Sequence, residues 1–579
     1  MLMKSLFLNP LGPPLLLLLG ALLLNAVPRV RFLRRVSRGS KWSSDAAALF
    51  ALIVVAGAAA ILGFLRADPL RPTVSWVWQP LTVAGGVMEW QLDGWSWFVS
   101  ALVLLVAAIT VLLSGTDVAL SPAASPAGGP GQGSSGLAHH PGDRHWTTLC
   151  LAAGAMAFVL SVNVLTLAGC WVLLTVVIAA RLGPGWHVDP AARAWGWLSV
   201  GGFLLLCVLA LLGESGIRNT LAAGPFSAPE IGLLWIAAFM LAGVYPMHLW
   251  LTGPGRVVTG TRVALHLMGP LAGLWLLARV QLLAGPSWLH WPGWAALGAL
   301  ALLGTALAAW TVEDEDLRWR WIAINRASLV VTASFVAVSA GPQGLIWTIL
   351  TFALGCALLI TGQAARARLG WRLPAWLAAL AIWGFPGTVG FMARSVLILP
   401  TELPIAVPLY IVVLVSEILL VAALWQIAGR PENEPRLYSI NWQVGVRLGV
   451  AFVALAVPLI AAGLVPGELL QMAGLDKDAF AGWPSLLLHE RRSVWAGLLV
   501  SGVAGVSLGL WRDRVFAQVR GWQLAIFNVV SLDWLYGSIV GAVSLAGGGL
   551  RYFAFLGEGE GYLGWLALGA LLIGVLLWG

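Results

Sequence analysis

Four side chains in apolar surroundings carry a charge or a proton that can move: His248, His266, Arg394 and Glu417. Each lies in a run of residues suited to a bilayer-spanning helix, where a charge costs about 2.5–3.5 kcal/mol and is a functional candidate by default. Histidine titrates near neutrality and suits a proton relay along a water chain. Glu417 sits in Leu414-Val-Ser-Glu-Ile-Leu-Leu420 as the acidic residue at mid-span, and it too can titrate. Arginine stays protonated, with a pKa above about 12, so Arg394 suits a gate or a fixed charge and not a carrier. The chemistry in view is a proton path. A structural role stands beside each assignment. A helical histidine is commonly a satisfied hydrogen-bonder, Arg394 is close enough to a helix end to reach the interface, and Glu417 can act as its counter-ion.

The elements that hold these groups follow from composition. The 579 residues are 59% hydrophobic and 10% charged, with a mean hydropathy of +0.88. A soluble domain runs about 45–50% apolar and about 25% charged, so a water-soluble multidomain protein is excluded. At roughly 20 residues per crossing, about sixteen spans fit: 12–28, 46–65, 94–114, 147–163, 164–181, 195–213, 230–252, 262–283, 293–311, 320–340, 342–362, 376–398, 404–428, 443–467, 494–512 and 563–579. Asn163 separates the fourth from the fifth. The expected class is an all-α polytopic membrane protein. No loop has room for a catalytic domain, and no GxGxxG fold context, metal cluster or Ser-His-Asp constellation is present. A membrane-embedded enzyme is unsupported, and no cofactor or metal is implied. Cys150, Cys170, Cys207 and Cys356 form no CxxC pair and read as small buried hydrophobes.

Basic residues number 33 against 25 acidic ones. In a membrane protein this excess marks cytoplasmic loops and not nucleic-acid binding. Lys and Arg gather in loops that follow odd-numbered spans, led by Arg29, Arg31, Arg34, Arg35, Arg38 and Lys41, which predicts both termini outside a plasma or inner membrane. Only Lys4, Lys41 and Lys477 are lysines, and none lies in a span. Residues 72–92, with Trp76, Trp78 and Trp90, suit an interfacial β-hairpin on the outer face. Residues 115–146 form a flexible low-complexity loop in which His139 and His140 meet solvent. Asn163, Thr166 and Ser328 suit a hydrated path or interhelical bonding. Asp93 is placed to cap the third span, and Glu313-Asp-Glu-Asp316 with Arg318 and Arg320 reads as a solvated face.

Two spans are interrupted, at Pro246 and at Pro386-Gly387, each the fourth of a five-span block. A mid-span proline removes one backbone hydrogen bond and clashes with the preceding turn. The freed carbonyls are tolerated only against protein or a water-filled cavity. Interruptions at matching places in two halves mark repeated bundles around an ion path. The expected organisation is an N-terminal three-helix segment (1–114), the loop (115–146), a first repeat (147–283), a second repeat (293–428) and C-terminal helices (429–579).

The residues around these breaks resemble the antiporter-like subunits of respiratory complex I and their relatives in multisubunit cation/proton antiporters. Tyr245-Pro-Met-His-Leu-Trp-Leu251 is similar to the family's P-F-H-x-W-L in its first broken helix. Val263-Ala-Leu-His266 with Ala272-Gly-Leu-Trp-Leu-Leu-Ala-Arg279 resembles S-A-L-L-H…A-G-V-Y-L-L-A-R, and Gly384-Phe-Pro-Gly-Thr-Val-Gly-Phe391 resembles G-x-P-P-x-x-G-F. Asp93-Gly-Trp-Ser96 and Ser531-Leu-Asp-Trp-Leu-Tyr536 are similar to D-G-L-S and to the D-x-L-Y of the chain 5, or chain L, type. The motifs run in order over nearly the whole chain. The resemblance implies two inverted five-helix repeats, proton conduction in an NADH-quinone oxidoreductase-type assembly, and other membrane subunits, the lipid bilayer and protons as partners.

The departures are specific. Where the family has a Trp-Glu pair, Trp171 is followed by Val172; its lysine in the first broken helix falls at Leu241, a second at Cys356, and a histidine at Phe352. Arg394 stands for the lysine of the second broken helix. About 27 residues, including Gly547-Gly-Gly549, separate Tyr536 from the last span, and as a helix they reach about 40 Å at most. The expected function is therefore a diverged proton-conducting subunit. Its rivals are a non-pumping structural paralogue and a proton-coupled partner in inorganic-carbon or cation uptake.

Overall fold

The computed structural model of the chain describes residues 8–26, 44–67, 73–77, 86–114, 143–182, 190–213, 220–221, 226–252, 260, 263–289, 292–336, 341–397, 406–429, 442–474, 492–518 and 520–557. Most of the 115–146 loop and all of the 563–579 span lie outside them. The helices of the first compact unit, Met1–Gln518, are α1 (Gly12–Ala26), α2 (Ser44–Ala67), α3 (Gly94–Ser114), α4 (Asp143–Val159), α5 (Val164–Leu182), α6 (Pro190–Leu212), α7 (Ala228–Ala242), α8 (Gly269–Leu289), α9 (Pro292–Thr311), α10 (Glu315–Val336), α11 (Gly341–Leu350), α12 (Cys356–Leu369), α13 (Leu373–Trp383), α14 (Val389–Val396), α15 (Ala406–Ala428), α16 (Trp442–Leu464), α17 (Pro466–Met472) and α18 (Arg492–Gln518). Single π turns at Ala264–Met268 and Thr351–Gly355 run into α8 and α12.

Among the described residues nine helices are long and apolar enough to cross a membrane, and each coincides with a predicted span. The apolar helices Gly12–Ala26, His145–Val159, Val164–Ala180, Ala228–Ala242 and Leu373–Trp383 are shorter. The chain is an all-α, multi-pass membrane protein, with one small hairpin among the described residues.

That hairpin pairs β1 (Thr73–Val77) with β2 (Val87–Gln91) antiparallel, Thr73 opposite Gln91 and Val77 opposite Val87. Its second strand completes the interruption at residues 160–163. Gln91 N donates to Leu160 O at 3.0 Å and Val162 N to Glu89 O at 3.0 Å. Asn163 Oδ1 accepts from Thr166 N at 2.9 Å, which caps α5, while its Nδ2 donates to Val87 O at 2.8 Å. Asn163 and Thr166 are thus structural, holding strand to helix.

Long-range polar contacts tie helix ends together. Asp45 meets Arg447 at 2.6 Å, and Glu315 meets Arg366 at 2.7 Å. Arg512 Nε donates to Trp310 O at 3.1 Å, and Arg66 Nη2 to Met472 O at 3.1 Å. Every pair joins ends that alternation of the predicted spans puts on one side. Asp93 caps α3 through Ser96 N at 2.8 Å and also pairs with Arg279. The acidic run at 313–316 is a solvated face in part: Glu313 and Asp314 are exposed and Glu315 is half-exposed while paired with Arg366, but Arg318 and Arg320 are buried. Arg318 Nη2 donates to Val312 O at 2.6 Å, closing the end of α9.

In a bilayer, helices associate through close packing of small residues and not through the hydrophobic effect. α18 shows how. Gly497, Ser501, Gly505 and Gly509 recur every fourth residue, and a Cβ on Gly505 would lie 2.6 Å from Val421 of α15.

The second unit, Val519–Gly579, contains α19 (Arg520–Ser531) and α20 (Asp533–Gly557), with Leu532 at φ 59° between them. Gly547-Gly-Gly549 does not interrupt α20, whose 25 residues span about 37 Å.

Candidate functional site

The second helix break is built from glycine and proline. α13 closes on Gly384 at φ 94°, whose N–H reaches Leu380 O at 3.0 Å. Pro386 cannot donate a backbone bond and disfavours helix at Phe385. Gly387 turns the chain at φ 84° before α14 begins at Val389. Gly390 is required by proximity, since a Cβ there would stand 1.7 Å from Ala381 O.

Two arginines take the carbonyls at the end of α13. Arg394 Nη1 donates to Trp383 O at 3.3 Å, and Arg326 Nη1 to Ile382 O at 3.2 Å. The negative end of the helix dipole favours cations there. Arg394 Nη2 also donates to Ser501 Oγ at 3.1 Å, which accepts from Trp383 Nε1 at 3.1 Å as well.

Glu417 is the counter-ion of Arg326, with Nη2 to Oε1 at 2.8 Å and both side chains buried. This corrects its expected pairing with Arg394, which has no carboxylate partner among the described residues. Asn325 Oδ1 accepts from Arg326 Nη2 at 2.7 Å, and Asn325 is anchored through Nδ2 to Leu302 O at 2.9 Å. Ser416 Oγ donates to the same carbonyl at 2.9 Å, so α9, α10 and α15 are fastened at one level. Glu417 Oε2 is buried and has no hydrogen-bond partner among the described residues. Arg326, Arg394, Tyr410 and Glu417 line a common cavity of about 40 Å³.

The histidines occupy the first break. α7 ends at Ala242 with Gly243 at φ 61°, and Met240 O accepts from Trp250 Nε1 at 2.9 Å as well as from Gly243 N at 3.3 Å. His248 is fully buried; its Nδ1 pairs with Pro246 O at 3.1 Å, so this nitrogen carries the proton. Its ring stacks on Tyr245, centroids 5.1 Å apart, and lies 4.7 Å from Trp321. His266, in the π turn, donates through Nε2 to Leu251 O at 2.9 Å and meets Trp319 edge-on at 5.2 Å. Leu251 N in turn donates to His248 O at 2.8 Å, so one residue links both histidines.

The structure thus groups the candidates in two sets, His248 with His266 and Arg394 with Glu417. α10 touches both, through Trp319 and Trp321 at one and Arg326 at the other. Arg326 lies five residues beyond Trp321, about 7.5 Å along the axis. It escapes a search keyed to the breaks, although its place inside the predicted 320–340 span marks it as a mid-membrane charge. Ser328 donates to Ile324 O at 2.9 Å within its own helix. Leu241, Phe352 and Cys356 are buried, and Val172 is exposed at 58%.

No family model and no curated protein sequence matches the chain. Solved structures do. A chain of the Mrp complex from Dietzia sp. DQ12-45-1b superposes with a TM-score of 0.72 at 17% identity, over 98% of this chain and 62% of that one. This chain therefore spans less than two thirds of that relative's length. A chain of the membrane-bound sulfane sulfur reductase, an archaeal respiratory membrane complex, gives 0.71 at 15% identity over 97% and 99%. A chain of respiratory complex I from Thermus thermophilus with bound Aureothin gives 0.57 at 19% identity, over 79% and 98%. The chain has the fold of these chains of the Mrp, sulfane sulfur reductase and complex I assemblies.

Proposed function

We propose that this protein is a proton-conducting, antiporter-like subunit of a multisubunit membrane complex of the complex I, Mrp or sulfane sulfur reductase type. One observation carries the reading. Glu417 is held through Oε1 by Arg326, while Oε2 is unpartnered on the wall of a cavity of about 40 Å³. That volume holds on the order of three waters, at about 10–15 Å³ of such space per water. A titratable carboxylate, a short water file and a fixed charge at Arg394 are the parts of a proton half-channel. His248 and His266 serve the first half.

In this reading the chain has about sixteen spans at roughly 20 residues each, with both termini outside. The breaks at Pro246 and at Pro386-Gly387 are equivalent points of two inverted five-helix repeats, 147–283 and 293–428. These lie between the N-terminal segment, with its 115–146 loop, and the C-terminal helices. Leu241, Cys356, Phe352 and Val172 stand where the family uses ionisable residues. That substitution makes this a diverged conductor and favours, as second reading, a non-pumping structural paralogue. The length of α20, about 37 Å, suits the third, a partner in inorganic-carbon or cation uptake.

The test is proton flux through the purified complex in vesicles loaded with a pH-sensitive dye. Glu417→Gln, His248→Ala and His266→Ala each lower the flux. Wild-type flux in all three variants overturns the reading.

A further inference from the structure

The three histidines among the described residues are all buried, and His145 is the one that the two helix breaks do not account for. Its place in the sequence suggests the tail of the 115–146 loop, but the fold draws it into the first turn of α4, with 3% of its surface exposed. Its Nδ1 stands 3.5 Å from Ser114 Oγ, where α3 ends. Thr147 and Thr148 beside it are buried as well. The end of α3 and the start of α4 thus meet in a polar junction.

That junction leads toward His266. Thr110 and Ser114 lie one turn apart on one face of α3. Gly260 packs on both, since a Cβ on it would stand 2.7 Å from Thr110 O and 2.9 Å from Ser114 Cβ. His266 follows six residues later, in the π turn Ala264–Met268. α3 and α8 run antiparallel, because Asp93 at the start of α3 pairs with Arg279 of α8. Going inward from His145, Ser114 therefore comes first and Thr110 about 6 Å deeper, on the course that the chain takes to His266. Both α3 and α4 pack against the π turn.

We propose that His145 is the entry residue of the first proton half-channel. It collects protons at the membrane face that carries the 115–146 loop and passes them by way of Ser114 and Thr110 to His266 and His248. The imidazole accepts a proton on one ring nitrogen and releases the proton of the other, so a charge moves inward and the ring ends neutral. Ser114 Oγ donates to Val111 O and Thr110 Oγ1 to Val106 O, each at 2.8 Å, which leaves their lone pairs as acceptors for the incoming proton or for water that carries it. The proposal rests on the proton-conducting reading given above and adds an entrance to it.

The test is proton flux through the purified complex in dye-loaded vesicles, with melting temperature and subunit content measured on the same samples. His145→Gln keeps an amide that can bond Ser114 but cannot carry a proton. It is expected to lower flux at least about tenfold at the wild-type melting temperature. His145→Ala loses flux as well, and free imidazole added on the side of the 115–146 loop restores part of it. Wild-type flux in both variants overturns the proposal. So does flux that falls only together with the melting temperature and that imidazole does not restore, since that pattern marks a purely structural histidine. Reduced flux in His248→Ala and His266→Ala with wild-type flux in His145→Gln removes this inference alone. Wild-type flux in all of these variants and in Glu417→Gln removes the proton reading itself.

Discussion

Arg326 and Glu417 form an ion pair at 2.8 Å between α10 and α15, ninety-one residues apart in sequence and almost fully buried. Removing one partner of such a pair leaves a charge without compensation, at about 3–5 kcal/mol, whereas replacing both by apolar residues of similar volume is near neutral. We therefore expect Arg326→Met and Glu417→Leu each to lower the unfolding midpoint in detergent, and the double variant to recover most of the loss. Additive losses in a double-mutant cycle would show that the pair is not coupled.

Gly502 is required by Trp383, since a Cβ on it would lie 2.3 Å from the ring. Gly502→Ala is expected to push the indole off Ser501 and to cost about 1–3 kcal/mol. A lower melting temperature with no change for Gly521→Ala, where nothing lies near the added carbon, is the checking result.

His266 holds Leu251 O by a single N–H. His266→Leu leaves that buried carbonyl without its donor and should cost about 1–3 kcal/mol. His266→Gln keeps a donor and should retain more stability than the leucine variant while still losing proton relay. Denaturant titration reads the first effect, and vesicle flux reads the second.

Asp93 stands just outside the span it caps. Burial alone raises its pKa, but the charge of Arg279 and hydrogen bonds from Arg279 and Ser96 outweigh that and hold it below the ordinary 3.8. Because the folded value is the lower one, the stability it contributes is complete above pH about 3.8 and drains as pH falls through the folded value. Asp93→Asn should melt lower at pH 7, with the gap to wild type narrowing under acid. A gap that is constant with pH would show that the charge of Asp93 contributes nothing.

Much of this structure is legible in the chain because its signals are local. Pro246 and Pro386-Gly387 announce the breaks, Asn163 announces the separation of α4 from α5, and the tryptophan-rich 72–92 stretch announces the hairpin. Arg394 takes a freed carbonyl at its own break, as the proline there implies. The partner of Glu417 is not local. Arg326 is brought to it by the packing of α10 against α9 and α15, and no spacing in the sequence encodes that meeting. The Glu315–Arg366 pair beside the exposed Glu313 and Asp314 is hidden for the same reason, since Arg366 arrives from a distant helix.

The docking of β2 against residues 160–163 bears on biogenesis. The strand is synthesised before the helices it mends, so it must wait on their side of the membrane until α4 and α5 have been delivered. Until then the peptide groups at 160–163 lack their designated partners. Deletion of the hairpin is therefore expected to leave α4 and α5 poorly settled, and to be read out as failed insertion and degradation before any loss of transport is measured.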